Sequence, residues 1–121
     1  MAAEGFHESA IELTPLTRDL HRAIRSLMEE LEAVDWYQQR ADATQDPDLK
    51  AILTHNRDEE KEHAAMVMEW IRRQDPVFDE QLRKYLFTTD SIVQQEEDVK
   101  ETGQSAAAAT PTIGSLKGGP R

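Results

Sequence analysis

The residues best suited to chemistry are the glutamate and the histidine of the run Glu60-Lys-Glu-His63. Two helical residues three positions apart lie on one face, so the carboxylate of Glu60 and the imidazole of His63 can bind one metal site together. Because the chain contains no cysteine, its metal ligands are His and carboxylate side chains, which favours iron or manganese over structural zinc. A lone Glu-x-x-His motif also arises by chance in charged helices, where the histidine is more often a core or boundary residue.

A further carboxylate, Glu30, is expected at the same height on the preceding helix. It follows Leu27 by three positions and precedes Val34 by four, at the edge of an apolar stripe. Glu30 lies about 11 residues before the break between the helices and Glu60 about 13 residues after it, so both lie roughly 16–20 Å from the turn. In an antiparallel hairpin the three polar side chains therefore meet. Burying carboxylates without partners is costly, which favours a functional role for the cluster.

Three ligands from one chain are too few for two metal ions, but a two-fold axis would double them. Two copies would supply a Glu from each of two helices and a Glu-x-x-His from each of the other two. This is the ligand set of the ferritin-like di-iron bundles. A carboxylate can bridge two irons while an imidazole binds one. The residues therefore predict a di-iron site formed across a dimer.

Two long helices must position these ligands. Thr14 and Pro15 predict the N-cap and first residue of a helix over residues 14–41. Its apolar residues recur at steps of three and four positions: Leu13, Leu16, Leu20, Ile24, Leu27, Leu31 and Val34. Asp46 and Pro47 predict the start of a second helix over residues 47–74.

Asp75 and Pro76 should end the second helix, since a residue before proline is pushed out of the helical region. The apolar pattern of residues 77–86 predicts a short third helix. The short break between the long helices favours an antiparallel hairpin. We therefore expect an all-α fold, in which a two-helix hairpin plus a short third helix dimerises into a ferritin-like four-helix bundle.

Length and composition set the domain organisation. A chain of 121 residues predicts one domain. We expect a loose N-terminal arm over residues 1–13, a helical domain over residues 14–95, a flexible linker over residues 96–109 and a terminal peptide over residues 110–121. A helical domain this small buries a modest core, and oligomerisation is a common remedy.

Charge and hydropathy exclude several classes of partner. The net charge of −10, from 24 acidic and 14 basic residues, argues against nucleic acid. The sequence has no apolar run near the ~20 residues that span a bilayer, and its start does not resemble a signal peptide. We expect no nucleic acid and no membrane among its partners, and a cytoplasmic protein.

Three residues near the predicted site allow two interpretations, and a fourth residue, Trp36, allows one. Tyr37, one turn beyond the apolar stripe, is either a redox or hydrogen-bonding neighbour of the metal or an amphipathic core tyrosine. Glu29 and Glu32 either attract cations or form a solvated acidic face. Trp36 on that outward face indicates a second oligomer contact, because a lone exposed tryptophan is unusual.

Two long segments resemble the encapsulated ferritins, the EncFtn family. They are Met28-Glu-Glu-Leu-Glu-Ala-Val-Asp-Trp-Tyr37 and His55-Asn-Arg-Asp-Glu-Glu-Lys-Glu-His-Ala-Ala-Met66. The resemblance extends over residues 20–87. The tail Thr112-Ile-Gly-Ser-Leu-Lys-Gly118 independently resembles the peptide that loads cargo into encapsulin shells.

The resemblance implies a ferroxidase that stores iron in an encapsulin nanocompartment. It implies dimers that form a decameric ring, bound to the encapsulin shell protein through residues 112–118 and held in the shell lumen. Glu30, Glu60 and His63 match the family's ferroxidase ligands. Glu29 and Glu32 match a pair of residues at which metal ions enter. The resemblance implies that this pair binds Ca²⁺ or another divalent cation. Trp36 and Tyr37 match aromatic residues near these sites, and Tyr37 is counted among the catalytic residues.

Two rival functions are compatible with the same scaffold. One is a rubrerythrin-like peroxidase, although that class usually carries a rubredoxin-type cysteine site and this chain has no cysteine. The other is a non-enzymatic iron buffer or cargo adaptor. Both make the same prediction for the fold, so only turnover separates them.

Overall fold

The computed structural model describes residues 5–96. A short 3₁₀ helix, Ala10–Glu12, precedes three α-helices: α1 (Pro15–Ala43), α2 (Pro47–Gln74) and α3 (Pro76–Tyr85). The described range contains no strand, and residues 92–96 are also helical. The prediction of an all-α chain with two long helices and a short third one is confirmed. Most of the predicted linker, residues 97–109, and the terminal peptide over residues 110–121 lie outside the described residues.

The N-cap predicted for α1 is confirmed. The Thr14 hydroxyl accepts a hydrogen bond of 3.0 Å from the backbone N–H of Thr17, and Pro15 is the first helical residue. This arrangement satisfies one of the unpaired N–H groups of the first turn, and the N–H that proline lacks would have been unpaired there anyway.

The described part of the N-terminal segment contacts α1. The guanidinium of Arg18 donates hydrogen bonds of 2.6 Å to the carbonyls of Ala10 and Leu13. Phe6 stacks on His21 with ring centroids 4.6 Å apart. Gly5 has a φ of +85° and approaches the same imidazole so closely that a Cβ atom would meet it at 2.7 Å.

α2 begins as predicted and runs antiparallel to α1. The carboxylate of Asp46 accepts a hydrogen bond of 2.7 Å from the N–H of Leu49. The Lys50 ammonium donates a hydrogen bond of 3.0 Å back to the carbonyl of Ala41 near the end of α1. This contact joins the two helices next to their turn. Further from the turn, each residue of α1 lies beside a residue of α2 at a similar distance from the turn.

The Asp75-Pro76 pair ends α2 and also starts α3. The carboxylate of Asp75 accepts hydrogen bonds of 3.0 Å from the N–H groups of Val77 and Phe78. The described residues divide into two compact units, residues 5–71 and residues 72–96. Within the described part of the second unit, the carboxylate of Asp79 accepts hydrogen bonds from the guanidiniums of Arg72 and Arg83.

The described residues bury little apolar surface. Ala41, Ala64 and Ile71 are the buried hydrophobic residues of this range. Nine larger apolar side chains of α1 and α2 are exposed. Six of them are Ile24, Met28 and Leu31 on α1, and Ile52, Met66 and Trp70 on α2. We call these six residues the apolar face. None of the described helices is long and apolar enough to cross a membrane.

Candidate metal centre

Three potential metal ligands converge between α1 and α2. One ligand atom from each of Glu30, Glu60 and His63 lies within 4.8 Å of the other two. The Nδ1 atom of His63 lies 3.4 Å from Oε1 of Glu60 and 3.7 Å from Oε1 of Glu30. The side chains of Glu30 and Glu60 are 26% and 24% exposed, and that of His63 is 42% exposed. The cluster is therefore partly desolvated yet accessible to an ion.

The helices account for this convergence. Glu60 and His63 are separated by one turn of α2 and thus share a face. Glu30 reaches them from α1, because the antiparallel hairpin places residues at similar distances from the turn side by side. The apolar residues Ile52 and Trp70 lie on the same face of α2 as His63, about 20° away around the helix. The imidazole therefore lies on the exposed apolar face of the hairpin.

Hydrogen bonding within the cluster changes the acidity of all three groups. The hydrogen bond with Glu60, together with burial, raises the pKa of Glu30 above 4.5. The same bond, followed by the contact with His63, lowers the pKa of Glu60. Its contact with Glu60 raises the pKa of His63 above 6.5, although burial opposes the shift. The two carboxyl groups of the cluster therefore differ in acidity, with Glu30 the weaker acid and Glu60 the stronger.

This donor set could bind a metal ion. Carboxylate oxygens and an imidazole nitrogen suit iron and manganese, and their partial burial strengthens attraction to a cation. Three ligands leave several coordination positions of a six-coordinate ion open. A single chain therefore offers an incomplete site.

The aromatic residues predicted beside the site lie further along α1. Tyr37 is two helical turns beyond Glu30 on α1, a separation of about 10 Å along the helix axis. The guanidinium of Arg40 lies 5.5 Å from the ring centre of Tyr37 and 5.9 Å from that of Trp36. Trp36 is exposed and Tyr37 is half-buried. The cation thus bridges the two rings.

The acidic pair predicted to admit metal is exposed. Glu29 and Glu32 both lie on the solvent side of α1, and within the described part of the chain neither belongs to the ligand cluster. The charge of Glu29 contributes weakly to the raised pKa of Glu30. The two residues add negative charge near the site.

Two polar contacts of α2 near the cluster were not predicted from the sequence. The guanidinium of Arg57 donates a hydrogen bond of 2.8 Å to the amide oxygen of Gln38 on α1. His55 and Glu59 form an exposed ion pair, with Nε2 and Oε2 3.9 Å apart. Their spacing of four positions signals such a pair, whereas helical periodicity does not reveal the partner of a long side chain such as Arg57.

Comparison with known proteins identifies the family. The profile of the EncFtn-like family matches residues 5–89. The chain belongs to this family. The EncFtn-like chain is 53% identical over 127 residues to an encapsulated ferritin-like protein of Rhodospirillum rubrum, with 97% of this chain and 91% of the relative covered. It is 39% identical over 113 residues to an encapsulin nanocompartment cargo protein of Myxococcus xanthus, with 82% and 85% covered.

A further relative and a solved structure agree with this assignment. A ferritin-like protein of Thermotoga maritima is 54% identical over 96 residues, with 79% of this chain and 84% of the relative covered. The crystal structure of a Nitrosomonas europaea protein superposes with a TM-score of 0.70 at 65% identity, covering 73% of this EncFtn-like chain and 97% of the other. The two chains are therefore similar in sequence as well as in helical fold.

Proposed function

We propose that this EncFtn-like protein is a ferroxidase that oxidises Fe(II) to Fe(III) at a di-iron site shared by two copies of the chain. The observation that carries the proposal is the convergence of Glu30, Glu60 and His63 within 4.8 Å. Their oxygen and nitrogen donors fit iron, and the hard carboxylates favour the ferric state over the ferrous state. That preference would make oxidation more favourable at the site.

The apolar face supports a second copy as the source of the missing ligands. Ile52 and Trp70 lie on the same face of α2 as His63, and both are exposed in the single chain. Large contiguous apolar surfaces mark interaction sites. Packing this face against its symmetry mate would bury the apolar residues and bring two copies of each ligand together. The dimer would be a four-helix bundle.

The chain's own groups prepare the site for a cation. The carboxyl groups of Glu30 and Glu60 are hydrogen-bonded to each other, and a divalent ion would replace this bond as the carboxylates become ligands. His63 must likewise bind through a deprotonated ring nitrogen. When bound, a pair of Fe(II) ions would supply two electrons, one from each ion, and dioxygen would take up these electrons with two protons from solvent to leave as hydrogen peroxide. The partial burial of the carboxylates would limit access of bulk water to the ions.

Nearby residues would assist this reaction. We propose that Glu29 and Glu32 attract incoming divalent cations, such as Fe²⁺ or Ca²⁺, through their exposed negative charge. Tyr37 would serve as a redox or hydrogen-bonding neighbour, and Trp36 would contact another subunit. Glu29 and Glu32 would act before oxidation and Tyr37 during it.

The ferric product would be stored inside a protein shell. The relatives in Rhodospirillum rubrum and Myxococcus xanthus are described as an encapsulated protein and an encapsulin cargo protein. We propose that dimers of this chain assemble into a decameric ring within the lumen of an encapsulin nanocompartment in the cytoplasm. Residues 112–118, outside the described range, would bind the shell protein.

Aerobic addition of Fe(II) tests the oxidase function. The wild-type protein should develop a ferric absorbance band faster than iron in buffer alone. Glu30→Ala, Glu60→Ala and His63→Ala should abolish this gain. Glu62→Ala is the matched control, because Glu62 is an exposed glutamate of the same helix and lies outside the ligand cluster of the described residues.

The rival functions give different results in the same assay. An iron buffer would bind Fe(II) without accelerating its oxidation, and that result would overturn the proposed oxidase. A rubrerythrin-like peroxidase would oxidise iron with added hydrogen peroxide but not with dioxygen. Either result would leave the metal site itself intact.

A further inference from the structure

A polar contact between the helices lies between the turn and the metal cluster. The Nη1 atom of Arg57 on α2 donates a hydrogen bond of 2.8 Å to Oε1 of Gln38 on α1. The amide of Gln38 in turn donates a hydrogen bond of 3.0 Å to the carboxylate of Asp42, one turn along α1. The acceptor of the guanidinium is therefore itself held in place.

The guanidinium of Arg57 makes a contact through each of its three nitrogens and is largely withdrawn from solvent. Its Nε atom donates a hydrogen bond of 3.0 Å to Asp58, and its Nη2 atom lies 2.9 Å from the same carboxylate. The side chain is 19% exposed. Asp58 neutralises the charge of Arg57, and Gln38 accepts the hydrogen bond from Nη1. The contact with Gln38 therefore affects the cluster by fixing the position of α2 more than by its electrostatic field.

This contact is placed to set the register of the two helices at the cluster. Arg57 precedes Glu60 by one turn of α2. Side chains of a helix lean towards its N-terminus, so Arg57 reaches towards the turn, where Gln38 lies. The contact between Lys50 and Ala41 holds the hairpin at the turn. The contact between Arg57 and Gln38 holds it nearer the ligands and opposes both sliding and rotation of α2.

We propose that Arg57 is a positioning residue, which through Gln38 fixes the height and rotation at which α2 presents Glu60 and His63 to Glu30. The inference rests on the proposed metal site and deepens it. A slip of one residue moves a helix by about 1.5 Å along its axis. Ligand constellations tolerate errors of only about 0.5 Å. A fixed register is therefore a condition for tight metal binding.

Titration of the full-length protein with Co²⁺ tests this role, with absorption spectroscopy reporting ligand geometry and calorimetry reporting affinity. Arg57→Met and Gln38→Met each remove one side of the contact. Both should weaken Co²⁺ binding about 10-fold or more, the usual effect of losing a group that orients a ligand, and should alter the absorption of the bound ion. Gln38→Glu combined with Asp42→Asn keeps the acceptor for the guanidinium and a hydrogen bond between positions 38 and 42, and it should retain wild-type affinity and spectrum.

Lys50→Met is the matched control, because it also removes a hydrogen bond from a cation of α2 to α1, but at the turn. It should lower the melting temperature while leaving the Co²⁺ affinity and spectrum unchanged. If Arg57→Met and Lys50→Met weaken binding in proportion to their losses of melting temperature, Arg57 only stabilises the hairpin and the inference is wrong. Wild-type affinity in Gln38→Met also overturns it. If the wild-type protein binds no Co²⁺, the proposed site fails together with the inference.

Discussion

At the scale of single residues, hydrogen bonding decides in which direction the pKa of a carboxyl group shifts. Burial raises the pKa of Asp79, but hydrogen bonds from Arg72 and Arg83 outweigh burial and lower the pKa below 3.8. The opposite occurs at Glu30, where the neighbour is another carboxylate and the pKa is raised. Asp79 is thus suited to a structural ion pair, whereas Glu30 lies in a cluster that could bind a metal ion.

Asp79→Asn should destabilise the folded protein in a pH-dependent manner. A lowered pKa in the folded state means that the stabilisation is complete above 3.8 and is lost as the pH falls through the folded-state value. At pH 7 the variant should lose about 1.5 kcal/mol of unfolding free energy, typical of hydrogen bonds to a charged group. Urea unfolding at fixed protein concentration measures this. A difference from wild type that does not shrink below pH 3.8 would contradict the assignment.

Residue spacing predicted the meeting of Glu30, Glu60 and His63 because helical rise and rotation are fixed quantities. In an antiparallel hairpin, two residues at the same distance from the turn are neighbours when each lies on the side of its helix that faces the other helix. The partner of Arg57 could not be predicted in this way. A guanidinium on a long flexible stem reaches in many directions, and packing across the hairpin decides that it meets Gln38.

At the scale of helices, the start of α3 is well capped, whereas its end has a strained backbone. Asp75 caps its start with two hydrogen bonds. Its end instead places Phe87 at a φ of +62°, just after the C-cap residue Leu86. Glycine is usual at this left-handed position, because a Cβ atom there collides with the following carbonyl. The aromatic ring is fully exposed, so no contact among the described residues offsets the strain.

Phe87→Gly should therefore stabilise the protein, by about 1 kcal/mol of unfolding free energy. Phe87→Ala is the control, since alanine removes the ring but keeps the Cβ atom and the strain. Thermal and urea unfolding of the two variants at matched concentrations give the comparison. If the glycine variant is no more stable than the alanine variant, backbone strain at this helix end is not the controlling factor.

The starts of α1 and α2 were predicted to the residue because Thr14-Pro15 and Asp46-Pro47 each combine a capping side chain with a proline. The pair Asp75-Pro76 has the same form but was interpreted only as the end of α2. A residue before proline is excluded from the preceding helix, and the same exclusion leaves it free to cap the next one. The local sequence thus carries both signals, and only the amphipathic pattern beyond Pro76 shows that a helix follows.

At the scale of the whole molecule, the apolar face and the incomplete ligand set lead to one conclusion. A single chain buries few hydrophobic residues within the described range and supplies three ligands. A symmetric contact between two copies would both bury the apolar face and supply the missing ligands. Assembly would then stabilise the fold and complete the metal site in one step.

Removal of residues 110–121 should separate encapsulation from catalysis. Because these residues follow the helical domain, their loss should leave Fe(II) oxidation at the wild-type rate while abolishing co-purification with a co-expressed encapsulin shell protein. A variant with the order of residues 112–118 scrambled controls for tail length. Intact encapsulation of the truncated protein would show that the shell is bound elsewhere.

Native mass spectrometry with and without anaerobic Fe(II) tests the shared site most directly, because it counts chains and irons in the same particle. Fe(II) should shift the wild-type protein towards assemblies with an even number of chains that hold two irons for every two chains. His63→Ala should abolish both the shift and the bound iron. A monomer that binds iron with the full wild-type affinity, or assemblies whose mass and iron content are unaffected by His63→Ala, would contradict a di-iron site shared between two copies.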